Sequence, residues 1–193
     1  MKRLRNLSLF SRLPQYPGFT LPELLVIVVI IGVIAAVGIS GFFFLVRRAR
    51  VQSVALEVAG WLEQVRNAAA DEVTANRVAG GCRVAFDNGD RFAGGQIATV
   101  DQDCTFPEAI LRVPLSVQQD FVNLEPVGSP VTFTPRGLWV DSANVPGTNF
   151  QLTISLNGDL PVRCIRLSPA LGAVEIGRPP NSASDTCTIW QGL

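Results

Sequence analysis

The hydrophobic pattern of the chain changes character twice. From Leu24 to Val46 run twenty-three residues without a charge, LLVIVVIIGVIAAVGISGFFFLV, closed by Arg47, Arg48 and Arg50. At about 1.5 Å per residue a helix of this length extends about 35 Å, enough to cross the hydrocarbon of a bilayer. A buried core helix is usually shorter. The core of a secretory signal peptide is only about 7–15 residues and ends in a small-residue cleavage site. Ala36-Val37-Gly38 has that composition, but apolar sequence continues for eight residues beyond it. The run therefore predicts a membrane-spanning helix.

Beyond the arginines the pattern stays helical but becomes one-sided. Val54, Val58, Trp61/Leu62, Val65, Ala69 and Val73 recur at spacings of three and four, while Glu57, Glu63, Gln64, Arg66 and Asp71 fall off that stripe. Such a stripe needs a sheet to cover it. The helix is expected to end near 73–77, ahead of Gly80-Gly81.

From there the period shortens to two. Cys82–Phe86 reads as a strand leading to the turn composition Asp87-Asn88-Gly89-Asp90, and Ile97–Val100, Ala109–Val113, Val131–Thr134 and Leu138–Val140 are shorter β-like runs. The clearest hairpin alternates Phe150, Leu152, Ile154 and Leu156 with polar residues, turns at Asn157-Gly158 and returns along Val162–Leu167. Pro161 predicts that the returning strand begins at or near an edge. Ala173–Ile176 and Cys187–Trp190 complete the strand predictions, with a loop over 179–185 between them.

Composition narrows the chemistry. The 193 residues contain no histidine, and Lys2, Met1 and Tyr16 are the sole residues of their kinds. That removes histidine acid–base catalysis, Ser–His and Cys–His nucleophiles, lysine Schiff bases and the lysine of a P-loop. The chain is read as a non-enzyme without a cofactor. Asp87/Asp90 and Asp101/Asp103 sit in turn-like stretches and read as solvated turn residues.

Charge is uneven although 16 basic and 16 acidic residues cancel overall. Lys2, Arg3, Arg5 and Arg12 precede the span without an acid among them, whereas from Val51 onward nine arginines face fifteen carboxylates, a net of −6. An acidic domain argues against a general nucleic-acid surface, though a local arginine patch remains compatible with it.

All four cysteines, Cys82, Cys104, Cys164 and Cys187, lie after the span. An even count in a translocated domain favours disulfides and places this region outside the cytoplasm. With no CxxC pair and no histidine, a metal site is not expected. Three pairings exist. Cys82–Cys104 with Cys164–Cys187 is the local choice, each bridge contributing about 2–4 kcal/mol.

The junction before the span, Gly18-Phe19-Thr20-Leu21-Pro22-Glu23, carries the sharpest signal. A carboxylate drawn to the bilayer centre costs about 2.5–3.5 kcal/mol. A solvated cap favoured by the helix dipole is the local alternative for Glu23. Pro22 suits a first helical turn, where its missing N–H costs little. The stretch GFTLPELLVIVVIIGVIAA resembles the N-terminus of type IV prepilins, the precursors of type IV pilins and type II secretion pseudopilins. The resemblance implies cleavage by prepilin peptidase between Gly18 and Phe19, N-methylation of Phe19, and docking of Glu23 against the N-terminal amine of a neighbouring subunit. Pairing of that kind makes a buried carboxylate tolerable and sets axial register. Two positions depart from the family pattern: Tyr16-Pro17 precedes the glycine, and Gly38-Ile39-Ser40-Gly41 stands where many pilins carry a proline.

A second resemblance lies further on. VTFTPRG from Val131, RCIRLS from Arg163 and GAVEIG from Gly172 are similar to the GspH/FimT group of minor pilins and pseudopilins. The implied fold is α+β, a long pilin-like N-terminal helix packed on a C-terminal antiparallel β-rich domain with disulfides. The implied divisions are a prepilin leader at 1–18, a transmembrane or filament-core helix at 19–46, an amphipathic helix half at 47–79 and a globular domain at 80–193. The implied function is a minor pilin of a type IV pilus, whose partners are other pilin subunits, the peptidase and the membrane. A single-pass protein of the bacterial inner membrane is expected, its C-terminal domain outside the cytoplasm, passing into a pilus or periplasmic pseudopilus. The alternatives are a type II secretion minor pseudopilin, a DNA-binding minor pilin for DNA uptake, and a signal-anchored envelope domain. DNA contact would fall to Arg163, Arg166 and Arg178, but Arg163 and Arg166 have opposite parity on their strand and are expected on different faces.

Overall fold

The computed structural model describes residues 18–71, 81–101, 104, 106–117, 120–143, 145–169 and 172–192. One α-helix, α1 (Leu21–Asp71), opens it. Thr20 caps the start: its carbonyl accepts from the Leu24 amide at 3.1 Å, and its own amide donates to Glu23 Oε2 at 3.5 Å. The contact to Glu23 is the glutamate half of a Thr-x-x-Glu capping box, with Pro22 in the first turn. The expected helix end at 73–77, and with it Val73 of the stripe, lies outside the described residues.

The chain divides into two compact units between Phe42 and Phe43. In the N-terminal unit the described large apolar side chains, Leu24 through Ile34 with Ile39 and Phe42, are exposed. The helix is long and apolar enough to cross a membrane.

The C-terminal unit takes the rest of α1 and eleven strands among the described residues. These are β1 (Cys82–Phe86), β2 (Gly89–Arg91), β3 (Gln96–Val100), β4 (Ile110–Arg112), β5 (Val122–Val127), β6 (Val131–Phe133), β7 (Trp139–Val140), β8 (Gln151–Leu156), β9 (Asp159–Leu167), β10 (Val174–Arg178) and β11 (Ile189–Gly192). They form two antiparallel sheets, ordered β4-β3-β1-β6-β7 and β11-β10-β9-β8-β5-β2. Val54, Val58, Trp61, Leu62, Val65 and Ala69 are buried as the stripe predicts, joined by Val51, Ala55 and Ala59. They share one core with residues of both sheets, from Val84 and Phe133 to Leu152 and Ile165. The fold is therefore α+β, with the amphipathic helix half packed on antiparallel sheets.

The predicted hairpin forms, with its returning strand beginning at Asp159 directly after the turn rather than at Val162. Asn157 and Gly158 adopt φ of 58° and 68°, the paired positive values that a type I′ turn requires. Pro161 lies in β9, an interior strand, but in its first half, which β10 does not reach; β10 pairs only with Cys164–Leu167. That stretch is a local edge, which is why a residue without an N–H is tolerated there.

Two elements differ from expectation. The turn predicted over 87–90 contains the start of β2, which leaves the first sheet to pair with β5 in the second. Strand β5 itself was not predicted, because Glu125 and Pro126 interrupt its alternation. Pro126 pairs only with Leu152 of β8, since β2 stops opposite Leu124. Its nitrogen faces no ladder partner.

The cysteines adopt the local pairing, Cys82–Cys104 and Cys164–Cys187. Cys164 and Cys187 pack with Val162, Leu160 and Trp190 in a small cluster separate from the main core.

Candidate functional sites

At the head of α1, Gly18, Phe19 and Thr20 precede the helix and are exposed, and Phe19 is 72% accessible. Glu23 stands in the first turn, and its one hydrogen bond among the described residues is the long contact to the Thr20 amide. Both oxygens therefore retain capacity for a stronger cationic donor.

A second site lies in the C-terminal unit, where three arginines converge. Arg163 points from β9 to the helix side of its sheet: Nε donates to Gln52 Oε1 on α1, and Nη1 donates to the Val162 carbonyl at 2.9 Å. The residue is only 6% exposed. No bond of its Nη2 is seen among the described residues, and Arg163 lines a cavity of about 180 Å³. Arg48 from α1 and Arg178 from the end of β10 line the same cavity, and neither has an ion pair among the described residues. Burial lowers the pKa of Arg163, and the charges of Arg48 and Arg178 lower it further. The described lining includes no carboxylate.

The cavity walls are built. Phe44 and Arg48 stand one helical turn apart on α1, with Pro161 beside Arg163 on β9. The loop after β10 supplies Asn181 and Ser184, whose side chains accept from the Ala183 and Thr186 amides at 3.1 and 3.2 Å. The Thr188 amide returns to the Arg178 carbonyl at 3.2 Å, and Cys187 ties the loop's end to Cys164, next to Arg163. Three cations that line one cavity, with no carboxylate among its described lining, make a preset site for an anion.

Of the three arginines singled out in the sequence, Arg163 and Arg178 come together and Arg166 does not. Arg166 occupies the opposite face of β9, where Nε donates to Glu175 at 2.6 Å and the guanidinium lies 4.1 Å from the centre of the Trp190 ring. It is neutralised in place. In the sequence Arg48 stands out only as part of the basic end of the span. The spacing of Phe44, Arg48 and Gln52, four residues apart, puts all three on one helix face and was the available signal.

The Pro135-Arg136-Gly137 segment is a turn between β6 and β7. Gly137 has φ 74°, its amide donates to Thr134 at 2.9 Å, and its carbonyl accepts from Arg66 Nε at 3.3 Å. Arg136 is exposed.

No protein-family model matches the chain, and no curated protein or solved structure matches it at a significant level.

Proposed function

We propose that the chain is a minor pilin, a structural subunit that joins a type IV pilus through its N-terminal helix after cleavage between Gly18 and Phe19. The observation that carries this reading is the continuity of α1. One helix runs from an apolar half, exposed among the described residues, into a half that packs in the core of a β domain closed by disulfides. An apolar helix half whose large side chains are exposed among the described residues calls for a lipid or for neighbouring copies of itself.

In this reading Phe19 becomes the methylated N-terminus and Glu23 docks against the terminal amine of the next subunit. The local cap to Thr20 is long enough to be displaced by a charged donor at little cost. The span holds the subunit in the inner membrane before assembly and then forms the filament core. The β domain, outside the cytoplasm, supplies the surface.

N-terminal peptide mass spectrometry on filaments sheared from source cells tests this. The expected peptide begins with methylated Phe19. The same peptide confined to the membrane fraction would move the assignment to a secretion pseudopilin. An intact Met1 leader in every fraction would overturn it.

A further inference from the structure

The arginine cavity lies where the apolar run ends. Phe44 belongs to that run, Val46 closes it, and Arg48 stands in the basic cluster that follows. We propose that the cavity binds the phosphate diester of an anionic phospholipid headgroup, with Arg48, Arg163 and Arg178 sharing its charge and Phe44 facing the start of the lipid's apolar part. The inference rests on the reading of Leu24–Val46 as a membrane span.

Three features select this ligand. First, one planar guanidinium satisfies a carboxylate through two parallel hydrogen bonds, whereas three guanidiniums around one cavity suit the greater number of acceptor oxygens on a phosphate. Arg163 is oriented for the task in advance. Its Nε and Nη1 are occupied by Gln52 and Val162, which leaves Nη2 for the ligand. Second, the wall is mixed. Beside the three arginines the lining includes the apolar Phe44 and Pro161, and Phe44 belongs to the apolar run of the span. A free phosphate has no use for that wall, whereas a lipid at the membrane surface presents its phosphate and its first apolar carbons together. Basic clusters at the end of a span attract anionic headgroups for the same reason.

Third, the cavity has room for one group and lacks a track. At about 180 Å³ it holds a single phosphate with part of its substituents. From Val51 onward the chain carries a net −6, which repels a polyanion, and Arg166 is held by Glu175 on the other face of the sheet. A nucleic-acid strand needs several phosphates neutralised along its path.

The test uses the full chain in neutral detergent micelles doped with equal amounts of phosphatidylglycerol or phosphatidylcholine, with retained lipid counted by native mass spectrometry. Phosphatidylglycerol is expected to be retained over phosphatidylcholine. Arg48→Gln and Arg178→Gln, exposed and without ion pairs, are each expected to weaken that retention about tenfold. Arg136→Gln, an exposed arginine elsewhere, is expected to leave it unchanged. Equal retention of the two lipids by the unaltered chain, a comparison that needs no variant to fold, would overturn the proposal. So would undiminished retention in the two cavity variants. Full displacement of the lipid by inorganic phosphate would replace it with a soluble anion, and displacement by short duplex DNA would replace it with nucleic acid. Carbonate extraction of source membranes reads the span separately. A chain released by carbonate fails there whatever the micelle assay reports.

Discussion

Arg163 donates its Nε hydrogen to the side-chain oxygen of Gln52 and so ties the middle of β9 to α1. Gln52→Leu removes the acceptor but leaves the buried donor, so a loss of about 1–3 kcal/mol is expected. Gln52→Leu combined with Arg163→Met removes both polar groups and should recover part of that loss, because two apolar partners leave nothing unsatisfied. Urea unfolding of the full chain in micelles, followed by tryptophan fluorescence, gives the comparison. A single variant as stable as the parent would show that the bond contributes nothing.

The Cys164–Cys187 bridge closes a separation of 23 residues and anchors the approach to β11. Replacing both cysteines by alanine is expected to cost about 2–4 kcal/mol. The effect should be local before it is global. β11 pairs with β10 alone, so its amides are expected to lose hydrogen-exchange protection while those of β1 keep theirs. Uniform loss of protection across both sheets would contradict this picture.

Much of this architecture was legible because local chemistry and tertiary packing agree. The stripe from Val54 to Ala69 predicts its own burial, and Asn157-Gly158 predicts a turn that the positive φ values at both residues require. Strand β5 was hidden because its pairing, not its composition, makes it a strand: Pro126 is tolerated only because β2 stops short of it. The arginine cavity was half legible. Arg163 and Arg178 stand on neighbouring strands, but Arg48 joins them only once α1 is laid on the sheet, more than a hundred residues away in the chain. Arg163 and Arg166 face opposite sides of β9 as their parity predicts, because that expectation depends only on the strand period.

Two glycines should respond differently to the same methyl group. At Gly147 an added Cβ would overlap the indole of Trp139, which is 3% exposed. Gly147→Ala is expected to cost about 1–3 kcal/mol through overpacking and to alter the near-ultraviolet circular dichroism of that tryptophan. At Gly158 an added Cβ meets open space, but φ is 68°, so Gly158→Ala is expected to cost about 1 kcal/mol through backbone strain alone. An unchanged aromatic signal in Gly147→Ala would show that the ring moves aside freely.

Glu57 gives a pH dependence whose sign is opposite to that of an ion-paired carboxylate. It lies on α1 beside the buried Val58, and partial burial raises its pKa above the ordinary 4.5. The folded chain therefore holds this proton more tightly than the unfolded chain does. The contribution to stability is fully present below 4.5 and is lost as pH rises through the folded pKa. Glu57→Gln cannot ionise, so it should gain on the parent as pH rises from below 4.5 towards neutrality, by a small amount because the side chain remains largely exposed to water. Taking the difference between the two proteins cancels the titration of the carboxylates they share. Paired urea midpoints across that range measure it, and a parent that gains on Glu57→Gln with rising pH would mean that an attractive charge, not burial, governs the group.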